Sequence, residues 1–173
     1  MFKRLLSKGI KNISIDSKKS HILLKNTNFS LVIMRPYDLV QLGDLVGSGS
    51  EDILIWTGKT IGKSLCKNIQ DNKKIRTRKK LFEALLSYLT NLGYGKFDME
   101  YNKGKNVKIE IKNSIVQEIK EMEDAQLIRN LYNGIFIGSL NSSGVEVEEV
   151  SQEFDKKDPI VFEYNFIDFE VVD

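Results

Sequence analysis

Phe97-Asp98-Met99-Glu100-Tyr101 and Val107-Lys108-Ile109-Glu110-Ile111, joined through Asn102-Lys103-Gly104-Lys105, decide the fold class of this sequence. On both arms apolar side chains alternate with charged ones, which is the period-two pattern of a strand with one buried face. A short polar turn containing glycine between two such arms predicts an antiparallel hairpin.

Outward from the hairpin the period becomes helical. Upstream, about Arg78 to Leu92 places Leu81, Leu85, Tyr88, Leu89 and Leu92 on one side and stops at Gly93. Before it, about Glu51 to Ile69 presents Leu54, Gly58, Ile61, Leu65 and Ile69 at helical spacing, flanked by Ile55, Gly62 and Cys66. Ser48 and Glu51 have capping-box spacing at its start. Pro36 suits the first turn of a shorter helix through Leu39, Leu42 and Leu45, which Gly47-Ser48-Gly49-Ser50 ends. Two short strands, His21 to Lys25 and Phe29 to Arg35, precede it.

Downstream, Ile115 to Ile119 fits no single element. About Asp124 to Asn141 predicts a helix that buries Leu127, Leu131, Ile135 and Leu140, with Gly134 and Gly138 one turn apart. Val145 to Gln152 and Ile160 to Phe166 predict two final strands. The expected class is α+β, an antiparallel β-sheet covered mainly on one side by about four α-helices. Only two prolines occur, with no repeat or linker-like tract, so residues 1–173 are expected to form a single domain.

Composition excludes much chemistry. Hydrophobic residues at 41% and charged ones at 29% provide for a packed core. One cysteine, Cys66, rules out an intrachain disulfide and a thiolate zinc site and points to a cytoplasmic protein. One histidine, His21, leaves a Ser-His or Cys-His hydrolase a single place for its base. The longest apolar runs, such as Leu31 to Met34 and Ile53 to Trp56, fall far below the ~20 residues that span a bilayer. Lysines also interrupt anything resembling a signal-peptide core, so no membrane segment is expected. The net charge of +2 hides an asymmetry: residues 1–80 carry 17 Lys or Arg against 6 Asp or Glu (+11), and residues 81–173 carry 9 against 18 (−9). Either the halves neutralise one another, or a basic face awaits an anionic partner.

Gly58-Lys59-Thr60-Ile61-Gly62-Lys63-Ser64 resembles a phosphate loop but has three residues rather than four between its glycines and lies within a helix. The pairs Gly58/Gly62 and Gly134/Gly138 instead let two helices approach closely, or leave room for something between them. The basic run Lys73, Lys74, Arg76, Arg78, Lys79 and Lys80 opens a helix whose dipole disfavours cations there. It reads as a solvated loop or a phosphate contact; no nucleic-acid reading motif accompanies it, so nucleic acid is not an expected partner. Cys66 reads as a small core hydrophobe, His21 as a surface residue, and Trp56 as core filler or a pocket wall.

Asn113-Ser114, Gly134-Ile135-Phe136-Ile137-Gly138, Val145 to Glu149 and Ile160-Val161-Phe162, in that order after Ile53 to Gly62, resemble the 4-vinyl reductase domain family. That family shares its fold with subunits of a Golgi transport tethering complex. The resemblance implies a small-molecule-binding domain. Family members that sense aromatic effectors hold a metal with one Glu and three Cys; Glu149 matches the Glu, whereas Leu131, Gln152 and Ile160 occupy the cysteine positions. No zinc or other cofactor is therefore expected. The resemblance also implies a pocket between the sheet and its helices, lined by Ile109, Ile111, Ile135 and Val147 with Tyr88 and Trp56. So apolar a lining suits a hydrophobic, tetrapyrrole- or hydrocarbon-like ligand and offers few handles for catalysis. The expected protein is a non-catalytic sensor or carrier, dimeric through helix faces. The alternative is a dimeric interaction or scaffold subunit.

Overall fold

The computed structural model describes residues 13–18, 21–24, 30–73, 75, 77–150, 154–157 and 159–168. Its elements are β1 (Ile13–Asp16), β2 (His21–Leu24), β3 (Ser30–Leu31), α1 (Pro36–Val46), α2 (Ser50–Lys73), α3 (Arg78–Asn91), β4 (Lys96–Asn102), β5 (Asn106–Lys112), a 3-10 turn (Ile115–Glu118), α4 (Met122–Ser142), β6 (Glu146–Glu149) and β7 (Ile160–Asp168). The class is α+β, with four α-helices and two antiparallel sheets ordered β1-β2-β3 and β4-β5-β7-β6 among the described residues.

The hairpin forms as its alternation requires, with Met99 opposite Ile109 and Tyr101 opposite Val107. On β5, Val107, Ile109 and Ile111 are fully buried while Lys108 and Glu110 face outward and pair with each other. β7 continues the inner face with Phe162 beside Ile109 and Tyr164 beside Val107. Against this face lie α3, through Leu81, Phe82, Leu85 and Leu89, and α4.

α4 is buried on almost every side between Ile128 and Leu140, because the sheet lies on one flank and α2 on the other. The four glycines make the second contact. A methyl on Gly58 would run into the Leu131 carbonyl, on Gly62 into the Ile135 carbonyl, on Gly134 into the Ile55 carbonyl and on Gly138 into the Lys59 carbonyl. Of the two readings left open for the glycine pairs, direct helix packing holds: backbone lies on backbone with nothing between.

Several expectations shift. The strand over Phe29 to Arg35 shrinks to Ser30–Leu31, its Phe29 end lying outside the described residues. Val32 and Ile33 are 86% and 74% exposed, and no described strand pairs with them. The short helix forms as α1, burying Val40 and Gly43 and leaving Leu42 and Leu45 exposed. α2 begins at Ser50, after a turn in which Gly47 and Gly49 take positive φ (68° and 124°). The strand from Val145 is paired over Glu146–Glu149, and Gln152 lies outside the described residues. The ambiguous Ile115 segment is a 3-10 turn capped by Ser114, whose Oγ accepts from Val116 N–H, and Gln117, whose Oε1 accepts from Ser114 N–H. Arg78 of the basic run has a structural role: its Nε donates to the Ser143 carbonyl at the C-terminal end of α4, where the helix dipole favours a cation. The pairs Arg35–Asp38, Lys108–Glu110, Lys112–Asp98, Arg129–Glu149 and Lys157–Asp155 each join residues of the same half of the chain.

Candidate functional site

The seam between α4 and the inner sheet face is where chemistry concentrates. Ile109, Ile111 and Ile135 meet there with Tyr88, and Val147 packs against them from β6. Trp56 lies apart, 68% exposed on the outer side of α2, neither in the core nor beside the other five. The space between those residues is filled by aromatic rings. Phe136 of α4 stands edge-on to Phe162 at 5.1 Å and to Phe97 at 6.2 Å, with Tyr132, Tyr164 and Phe82 within 6.4 Å. Ile109, Ile111, Ile135, Phe136 and Tyr164 are 0% exposed, so no void large enough for water touches them. The seam is closed by the protein's own side chains.

Set into this apolar packing is a polar relay. Arg129 and Asn133 stand one turn apart on the sheet-facing side of α4, and both are more than nine-tenths buried. Arg129 Nη2 donates to Glu149 Oε1 at 2.7 Å, Asn133 Nδ2 donates to Glu149 Oε2 at 2.5 Å, and Tyr164 OH donates to Asn133 Oδ1 at 2.8 Å. The Arg129 guanidinium carbon lies 4.8 Å from the centre of the Phe162 ring and 5.7 Å from that of Phe154. Burial, with a smaller push from the Glu149 carboxylate, holds the Tyr164 phenol well above its ordinary pKa, so it remains a donor at any neutral pH. Burial likewise raises Tyr132, whose OH donates to the Tyr94 carbonyl and accepts from Ser114 Oγ. Among the described residues no buried side-chain nitrogen or oxygen lacks a partner.

Glu149, singled out above only as a metal-site match, is engaged by Arg129 and Asn133 instead. Among the described residues no three His, Cys, Asp or Glu side chains converge as a metal site would require. Arg129 and Asn133 escaped the sequence reading because their partner Glu149 lies 20 and 16 residues away across a loop, and Tyr164 because its partner Asn133 lies 31 residues away. The available signal was the polar pair Arg129/Asn133, four residues apart on the helix that the surrounding glycines and aliphatics mark as central. Cys66 is fully buried, and burial raises its thiol against the weaker pull of Ser142 and Ser139.

No protein-family model matches this sequence, and no curated protein matches it. The fold does have likenesses among solved structures. One is the phenol-responsive sensory domain of the transcription activator PoxR, solved with phenol, at TM-score 0.68 and 12% identity over 96% of this chain and 90% of that one. Another is a mutant of the T. tengcongensis H-NOX domain, at TM-score 0.51 and 14% identity over 81% and 78% of the two chains. At such identities the likeness is one of fold. These neighbours overturn the resemblance to the 4-vinyl reductase family and to the tethering-complex subunits. The residues that carried it are glycines and aliphatics, which any helix pair packed this closely over a sheet would require. None of the described helices is long and apolar enough to cross a membrane.

Proposed function

We propose that this chain is a non-catalytic binding module, a sensor or carrier, for a small hydrophobic molecule taken up at the seam between α4 and the four-stranded sheet. The observation that carries the reading is the relay from Arg129 through Glu149 and Asn133 to Tyr164, sunk into an otherwise aromatic seam. Packing alone does not call for it, since apolar residues of the same volume stabilise a core as well as a buried ion pair does. The similarity to the PoxR sensory domain and the H-NOX domain supports the same reading at the level of fold. The ligand is small. A tetrapyrrole-sized molecule loses its support with the overturned resemblance, and a seam in which Ile109, Ile111 and Ile135 are 0% exposed offers it no space. Uptake therefore requires side-chain displacement at the seam, with a cost offset by burial of the ligand at ~25 cal/mol per Å². A cytoplasmic setting accords with the single, buried, unpaired cysteine.

Native mass spectrometry of the gently purified chain tests this. The expected result is a small non-covalent mass increment, or a gain in melting temperature of about 5 °C or more with a saturating apolar compound. A bare chain that no such compound stabilises would refute it.

A second reading, a dimeric interaction subunit, is favoured by several exposed apolar side chains. Val32, Ile33, Leu45 and Trp56 are each more than two-thirds exposed. Helices with apolar residues on both faces, as in α1, are usually covered. The same spectra report it: a dimer without adduct supports this reading over the first.

A further inference from the structure

The polar chemistry of a ligand can be read at the surface beside Arg129. A cavity of about 240 Å³ lies between Arg129, Phe154, Pro159 and Ile160, with Asp155 and Lys157 also bordering it. It exceeds the ~150 Å³ of a cavity that takes up benzene and falls below the ~300 Å³ at which pockets for drug-sized ligands begin. One ring fits. Arg129 is 8% exposed and carries five N–H donors. One is given to Glu149, and no other hydrogen-bond partner exists for it among the described residues. No side-chain nitrogen of Arg129 is both buried and unpartnered, and Arg129 borders the cavity, so its spare donors are available to a molecule lying there.

Among the described residues bordering the cavity, charge is matched. Glu149 balances Arg129 at 2.7 Å, and Asp155 balances Lys157 at 2.9 Å. A carboxylate thus gains no net attraction, whereas a neutral oxygen still takes a charge-assisted hydrogen bond from the guanidinium. Two larger hollows lack this equipment. In one, of about 430 Å³, the Arg35 guanidinium is 78% exposed and tied to Asp38. The other, of about 650 Å³, is bordered by Asp44, Glu51, Glu123 and Asp124 with no cationic side chain.

We infer that the cavity beside Arg129 binds a neutral single-ring molecule bearing an oxygen acceptor, such as an aryl ketone, aldehyde or phenol. The oxygen accepts from Arg129 and the ring lies against Phe154. This rests on the binding-module reading and places the ligand at the open, Arg129 end of the relay rather than inside the closed seam, adding the chemistry of recognition. Because Arg129 is one end of the relay, an oxygen bound at its spare N–H groups bears on the same guanidinium that holds Glu149, so occupancy is felt at Asn133 and Tyr164 inside the seam.

The test is a two-dimensional NMR titration of the full chain with acetophenone and with α-methylstyrene, its near-isostere with CH2 in place of the carbonyl oxygen. Acetophenone is expected to shift the resonances of Arg129, Phe154 and Ile160 and to bind at least tenfold more tightly, the worth of one hydrogen bond to a charged group. Arg129→Lys keeps a cation beside Glu149 but loses the planar fork, and should shrink that preference to under threefold. Should this variant not fold, Phe154→Ala leaves the ion pair in place and should weaken acetophenone at least fivefold; unchanged affinity there would overturn the assignment. Equal affinity for both probes, with shifts at Ile109, Ile135 and Tyr88, would also overturn it while leaving the binding-module reading intact at an interior site. No shift from either probe at saturation would sink this assignment, and native mass spectrometry would then decide the broader reading separately.

Discussion

Replacing Gly138 by alanine sets two well-known effects against each other. In a free helix the change should stabilise by about 1 kcal/mol, since alanine loses less backbone entropy than glycine. Here the new methyl would overlap the Lys59 carbonyl and fall within 2.7 Å of Lys59 Cα and carbonyl carbon. All three are backbone atoms that cannot rotate aside, so α2 and α4 must separate. Overpacking by one methyl costs about 1–3 kcal/mol where side chains can adjust. With backbone on both sides the upper end applies, and the net loss should be about 2 kcal/mol. Gly43→Ala is the control, because its methyl meets only the end of the Leu127 side chain at 3.0 Å and a Ser50 Cβ at ordinary distance. That variant should be neutral or gain up to ~0.5 kcal/mol. Gly58 and Gly134 face each other, each methyl coming within 2.9 Å of the other's Cα. The double alanine variant should therefore cost less than the sum of its singles, since the first already parts the helices. Urea unfolding followed by circular dichroism reads all of these. If Gly138→Ala were as stable as the parent protein, the backbone contact between α2 and α4 would be wrong.

Glu149→Ala should cost about 3 kcal/mol by the same assay, because it strands a guanidinium whose side chain is only 9% exposed together with an Asn133 amide; a double change of Arg129 and Glu149 to methionine should recover most of it. Tyr94, Tyr132 and Tyr164 are all held above the ordinary tyrosine pKa by burial. Their stabilising effect is complete below about pH 10, where unfolded tyrosines begin to ionise, and is lost as pH rises further, by up to ~1.4 kcal/mol per unit for each. Alkaline melting curves should steepen above that point, and a flat profile to pH 12 would contradict the burial of these rings. Cys66 should resist a thiol reagent in native protein and react once urea unfolds it; rapid native labelling would show that α2 opens or sits elsewhere.

The helices and the β4–β5 hairpin were legible because their periods come from local sequence. Leu81, Leu85 and Leu89 mark one face whatever surrounds them. α4 was legible as a helix but not as the central one, since a single stripe of leucines does not say that Asn133 and Tyr132 on other sides are also covered. β1 was missed because Ile13-Ser14-Ile15-Asp16 is too short to stand out before its pairing with β2 is known. At the site, Ile109, Ile111, Ile135, Tyr88 and Val147 do come together, because inward-facing aliphatics and aromatics of neighbouring elements must share one interior. Trp56 does not, because helical spacing alone does not fix which way a stripe's neighbour turns, and Gly58 rather than Trp56 faces α4. The relay depends on contacts across a loop and could not be read from spacing at all.

The glycine seam also governs how this molecule can transmit force. Interdigitated side chains can slip past one another by a rotamer change, but Gly58, Gly62, Gly134 and Gly138 offer no such gears. Any shift of α4 as a body must therefore carry α2 along as a rigid lever, and with it the outward-facing Trp56.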